Sequence, residues 1–308
     1  MPFPFLALHL VLAVLAAALG WSLGARVASG ADPAVDATPP PESRARAAIA
    51  LALLALLALE LALRLIPERV ANALPHPELA LLCDLSPQLA LALLAFALRS
   101  ERARATRLRI GLLGSALVAC AVWGHELPYL PSRAPLGPAQ VDARGPQAVV
   151  RQSTPHSCAA AAAATLLRAR GLEPDASEAE LARDCLTDAR RGTTPLGLLR
   201  GLSRHAPGRR VRYLWPSEEE LGALGPCVLH VGLSDQVRDP ELRRVLRDQC
   251  GWPEGVVHAV VCFGFAAGGA GEEPRVALIG DPRLGYERWG LSHLRALWHG
   301  AALVIEER

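Results

Sequence analysis

The 308-residue chain contains no lysine, so all 32 of its basic residues are arginine. It has one methionine and one asparagine, Asn72. These shortages read as a compositional bias and point to no function. Residues 140–308 carry 21 arginines against 21 acidic residues. That balance excludes the basic footprint of a nucleic-acid binder. None of the seven cysteines forms a Cys-x-x-Cys pair, which weakens a zinc or thioredoxin-like reading. The glycine-rich stretch Ala266–Gly271 lacks a Gly-Lys-Ser/Thr ending, so it reads as a turn and not a phosphate loop. No cofactor or metal is expected.

What the chain has in excess is apolar residues, 51% in all and concentrated in the first 130 positions. Four apolar stretches, near 3–23, 47–66, 79–98 and 110–128, predict an all-α transmembrane region of about four helices. The first lacks the basic start of a cleaved signal and reads as a retained helix. Glu60 and Arg64 stand four apart and can pair on one helical face. Trp123 and Tyr129 suit the membrane interface. Arginines crowd the first connection (Arg26, Arg44, Arg46) and the third (Arg99, Arg102, Arg104, Arg107, Arg109). The positive-inside rule then places the C-terminal half on the outer side. The expected setting is an integral protein of the bacterial inner membrane, with the lipid bilayer as a partner.

Residues 131–147, with Pro131, Pro135, Pro138 and Pro146, read as a linker. From 148 to 308 the pattern is mixed α/β. Helices are expected over Ser157–Arg170, Ser177–Asp188, Thr194–His205, Glu241–Asp248 and Leu291–Trp298. Strands are expected over Arg212–Trp215, Cys227–Val231, Val256–Phe265, Arg275–Ile279 and Ala301–Ile305.

Four residues of this half carry the chemistry of a thiol hydrolase. Cys158 begins a predicted helix, where open backbone amides and the helix dipole favour a thiolate. His258 is carried on a buried strand and can act as the base. Asp281 follows the strand adjacent in sequence and can accept from the far ring nitrogen. Gln152, six residues before the nucleophile, can donate to a developing oxyanion. Each has a bland reading: a buried small residue, a core histidine, a turn and a cap. Their joint order and setting favour the catalytic one. His230 is a rival base, ranked lower because no Asp-Pro turn directly follows its strand. Of the other cysteines, Cys83 and Cys120 lie in apolar stretches. Two of Cys185, Cys227 and Cys250 can pair in an oxidising space, and buried thiols are the favoured alternative.

The stretch resembles the C39 family of cysteine peptidases, which process bacteriocin leader peptides. The resemblance runs from about Val149 to the C-terminus. It rests on Gln152 through Cys158, Gly192-Thr193-Thr194, His258-Ala259-Val260-Val261, Asp281-Pro282-Arg283-Leu284-Gly285 and the Leu297–Val304 ending. It implies an α+β papain-like cysteine peptidase domain, helices packed on an antiparallel sheet, behind the helical membrane region. It assigns Cys158 as nucleophile, His258 as base, Asp281 as orienter and Gln152 as oxyanion donor. It implies a peptide or protein substrate, leader processing among the choices, and a separate exporter as a partner, because the chain carries no ATPase cassette. Ser157-Cys158-Ala159 stands where the family commonly has Asp-Cys-Gly. Leu233–Gly255 looks like an insertion able to form a lid or a specificity wall. The competing readings are a non-catalytic binding module on the same fold and, less favoured, a transporter-like membrane protein.

Overall fold

The computed structural model describes residues 13–23, 41–63, 65–74, 76–78, 86–100, 106–115, 136–137, 140–189, 192–233, 237, 240–248, 251–252, 254–271 and 273–307. Contacts divide the chain into two compact units. One comprises Met1–Ile66 and Leu81–Leu130, the other Pro67–Ala80 and Pro131–Arg308.

The helices of the first 130 residues are α1 (Pro41–Leu63), α2 (Pro67–Ala73) and α3 (Ser86–Ser100), with residues 13–23 and 106–115 also helical. In the first unit α1 packs on α3, and Leu57, Ala90, Ala92 and Phe96 are buried. The expected membrane region is corrected here. Among the described residues no helix is long and apolar enough to cross a membrane. A crossing helix needs about 20 apolar residues to cover about 30 Å. Helix α3 has 15 residues, about 22 Å at the α-helical rise. Helix α1 has 23 but opens Pro41-Glu42-Ser43-Arg44-Ala45-Arg46. That leaves Ala47–Leu59 before Glu60, about 20 Å of unbroken apolar helix. The placement in a bacterial inner membrane and the outward orientation fall with the spans. Residues 3–12, 79–85 and 116–128 of those spans, the Glu60–Arg64 pair, and Trp123 and Tyr129 lie outside the described residues.

The second unit is built on strands. A short antiparallel ribbon joins β1 (Gln140–Asp142) to β2 (Val149–Arg151). Three helices follow: α4 (Cys158–Ala169), α5 (Glu178–Asp184) and α6 (Pro195–His205). Then come β3 (Arg210–Leu214), α7 (Glu218–Ala223), β4 (Cys227–Val231), α8 (Pro240–Asp248) and β5 (His258–Ala267). The chain continues through β6 (Arg275–Asp281), β7 (Gly285–Gly290), α9 (Leu291–Leu297) and β8 (Trp298–Glu306). The strands β3 to β8 form one antiparallel sheet in the order β3-β8-β4-β5-β6-β7.

Side chains alternate across this sheet, as the strand period of two requires. Val228, Ala259, Val261, Ala301, Leu303 and Ile305 face the core that holds α4, α5 and α6. Leu229, Val260, Ala277, Ile279, Ala302 and Val304 face a second core with Leu221, Leu246, Leu294 and Leu297. The helix-on-sheet architecture expected from the sequence is present. The β1–β2 ribbon, β7 and α7 were not anticipated, and β5 begins at His258, where pairing with Val231 of β4 begins.

Helix α4 explains its alanines. Ala159–Ala164 are all buried, and their small side chains let the helix lie close on the sheet. Thr165 Oγ1 accepts from Val150 N at 2.9 Å and donates to Ala161 O at 2.9 Å, which fastens β2 to the helix. Helix α6 also comes close to its neighbour. A Cβ on Gly201 would stand 2.1 Å from Cys185 Sγ. Cys185 and Cys227 are free buried thiols, while Cys250 lies outside the described residues. The only asparagine closes the sheet edge. Asn72 Nδ2 donates to Tyr213 O at 2.7 Å, and its Oδ1 accepts from Tyr213 N at 2.7 Å, as a neighbouring strand would.

Candidate active site

Cys158 is the first residue of α4. Ser157, just before it, does not cap the helix with its side chain, because its Oγ accepts from Thr154 N at 3.2 Å and Thr154 Oγ1 at 2.9 Å. Among the described residues no side chain caps the first turn, and the Ala159 amide is directed at the thiol. Of the four described cysteines, Cys158 alone is partly exposed, while Cys185, Cys227 and Cys262 are buried.

His258 opens β5, opposite Val231 of β4. Its Nε2 lies 3.0 Å from Asp281 Oδ1, and its ring is close enough to the Cys158 thiol for each to shift the other. With Nε2 engaged by Asp281, Nδ1 is the nitrogen left for sulfur. Asp281 ends β6 and is 2% exposed. Its Oδ1 also accepts from Arg283 N at 2.6 Å and Leu284 N at 3.2 Å. The turn that supplies these amides is stitched to β2. Gln152 N donates to Pro282 O at 2.9 Å, Arg151 Nε donates to the same oxygen at 3.2 Å, and Arg151 Nη2 donates to Arg283 O. Gly285 closes the turn at φ +96, where a Cβ would stand 1.8 Å from Asp142 Oδ2. The Asp-Pro-Arg-Leu-Gly run thus has a backbone reason for its glycine.

The electrostatics follow from this packing. Burial raises the Cys158 thiol, but the His258 hydrogen bond and charge, with the Ala259 and Ala159 amides, carry it below the ordinary thiol value. Burial lowers His258, yet hydrogen bonds to Asp281 and Cys158 and their charges raise it to about 9. Burial raises Asp281, but the His258 hydrogen bond and charge and two backbone amides leave it below the usual carboxylate value. Together these favour a thiolate beside an imidazolium. Elsewhere burial pushes the Cys185 thiol far above its ordinary value.

The structure brings Cys158, His258 and Asp281 together, with His258 bonded to Asp281 and electrostatically coupled to the Cys158 thiol. Gln152 joins through its backbone, and its side chain is turned toward its own loop. Gln152 Nε2 donates to Thr154 O at 2.8 Å, and Oε1 is buried without a hydrogen-bond partner among the described residues. His230, the rival base, has its Nδ1 3.5 Å from Glu68 Oε1 and its ring against Tyr213.

Sequence reasoning missed Arg151, Trp252, Trp289 and Glu287. Trp252 packs on the His258 ring with centroids 5.9 Å apart. Trp289 Nε1 donates to Glu287 Oε2 at 2.9 Å. Burial raises Glu287, opposed by that hydrogen bond and reinforced by the charge of Asp281. Arg151 next to Gln152 was the one available signal. The others lie far apart in sequence and meet only through the sheet.

The structure is similar to peptidase domains of ABC transporters. The peptidase domain of Streptococcus ComA, a bifunctional ABC transporter of a quorum-sensing pathway, is 19% identical over 52% of this chain and 98% of that domain, with a TM-score of 0.39. A double glycine motif protease from an AMS/PCAT transporter, solved with a leader peptide, is 20% identical over 58% of this chain and 98% of its own, with a TM-score of 0.36. The peptidase domain of Streptococcus mutans ComA is 18% identical, covers 51% and 97%, and has a TM-score of 0.32. No protein-family model and no curated protein matches the chain.

Proposed function

We propose that this chain is a cysteine endopeptidase that cleaves a peptide or protein with Cys158 as nucleophile. The observation that carries this reading is the His258–Asp281 hydrogen bond with the Cys158 thiol beside the ring, at a helix start that no described side chain caps. The Cys158 thiolate attacks the scissile carbonyl carbon, forming a C–S bond and an oxyanion. The oxyanion draws on the backbone amides at the start of α4 and on Gln152, whose amide nitrogen keeps one N–H beyond that given to Thr154. His258 imidazolium gives its proton to the leaving amine as the C–N bond breaks. It then takes a proton from water, which hydrolyses the thioester and restores the thiolate. Asp281 holds the ring so that one nitrogen faces sulfur throughout.

By the motif resemblance the substrate is a precursor that loses a leader segment. The geometry carries no argument for an exporter partner. The test is cleavage of a peptide library by the full chain. Wild type is expected to release new N-termini, and Cys158→Ala at matched fold is expected to release none. Equal cleavage by both would end the proposal and favour a binding module.

A further inference from the structure

Resting on the hydrolytic reading above, we propose that Trp252 is a positioning residue for His258. His258 opens its strand, and the two residues before it, Val256 and Val257, are exposed. Its ring must present one nitrogen to Cys158 and the other to Asp281 at once. Trp252 packs against the ring with planes inclined 65°, an edge-to-face contact that limits rotation and excludes water.

Trp252 is itself held on both sides. Its amide donates to Leu246 O at 3.1 Å, beneath α8, whose Leu246 is buried. The segment returns to the sheet through the Leu233–Glu254 bridge and the Gly255 N to Leu233 O bond. On the far side Trp252 meets Trp289 at 5.8 Å and 84°. Trp289 Nε1 is fixed by Glu287 Oε2 at 2.9 Å. Glu287 pairs with Ile279 in the β6–β7 register, which puts it on the face of β6 that carries Asp281. The contacts therefore close a ring: His258, Trp252, Trp289, Glu287, the β6–β7 ladder, Asp281 and back to His258. The charged and titratable groups around the imidazole are Cys158 from α4, Asp281 from β6 and Glu287 from β7. Arg151 from β2 acts on Glu287.

The test reads the pH profile of iodoacetamide alkylation at Cys158, resolved by mass spectrometry on the full chain. Wild type should alkylate well below the pH at which an ordinary thiol ionises. Trp252→Ala should move the rising limb up by about one pH unit, about tenfold slower at a given pH on that limb. Trp252→Phe, which keeps a ring, should restore most of the rate. A folded Trp252→Ala with the wild-type profile overturns the proposal. If Trp252→Ala does not fold, Trp252→Leu, which keeps apolar volume without a ring, is read by the same criteria. A wild-type profile like that of an ordinary thiol would instead defeat the hydrolytic reading itself.

Discussion

Asp281 Oδ1 accepts from His258 Nε2 and from the Arg283 and Leu284 amides. An asparagine there offers the same carbonyl oxygen to all three donors and removes only the charge. The His258 value, raised to about 9, leans on that charge. Losing it favours neutral imidazole and lowers the value. The alkaline limb of peptide cleavage, which reports loss of the imidazolium proton, should lie near pH 9 in wild type. In Asp281→Asn it should move toward pH 6.5, with circular dichroism unchanged. A pH profile of kcat/KM checks this, and an unmoved limb would show that Asp281 does not set the state of His258. The meeting of Cys158, His258 and Asp281 could be anticipated because each sits at the end of an element with a strong local signal. The side-chain direction of Gln152 could not, because a hydrogen bond two residues away decides it.

The helices beneath the nucleophile carry their own titration. His205, at the end of α6, lies 2.7 Å from Glu173 Oε2 and 2.9 Å from Asp184 Oδ2. Burial lowers it, but the bonds to Asp184 and Glu173 outweigh burial and raise it above 6.5. A histidine raised on folding contributes its stability in full below its unfolded value. That contribution fades as pH rises through the folded value. The difference in urea midpoint between wild type and His205→Gln should therefore be wide at pH 6 and narrow by pH 9. A difference that is flat with pH would remove His205⁺ as the link between α5 and α6. Most elements of this half were visible as periodic runs: α4 by its alanines, β5 by its β-branched residues. Strand β7, six residues bracketed by Gly285 and Gly290, was not, because only pairing with β6 makes it a strand.

The two units of the chain interleave in sequence, since Pro67–Ala80 belongs with Pro131–Arg308. Within that second unit Asn72 pairs both ways with Tyr213, Glu78 pairs with Arg200 at 2.8 Å, and Glu68 faces His230. None of this shows in a local reading, in which Asn72 looks like a compositional accident. Asn72→Ala removes both bonds to the backbone of Tyr213, a residue only 1% exposed. Left unpaired, such groups cost about 1–3 kcal/mol. Denaturant unfolding is expected to show a loss of that size, and no change would mean the edge of β3 does not need its asparagine. The apolar N-terminal stretches misled in the opposite direction. Hydropathy reports composition, whereas crossing a bilayer also requires length without interruption.

Site-resolved alkylation at pH 6 compares wild type with His258→Ala most directly. The thiolate–imidazolium pairing predicts that Cys158 labels far faster than Cys185, Cys227 and Cys262 in wild type and loses that advantage in His258→Ala. Equal labelling of all four thiols in the folded wild type, or a Cys158 rate indifferent to His258, would contradict it.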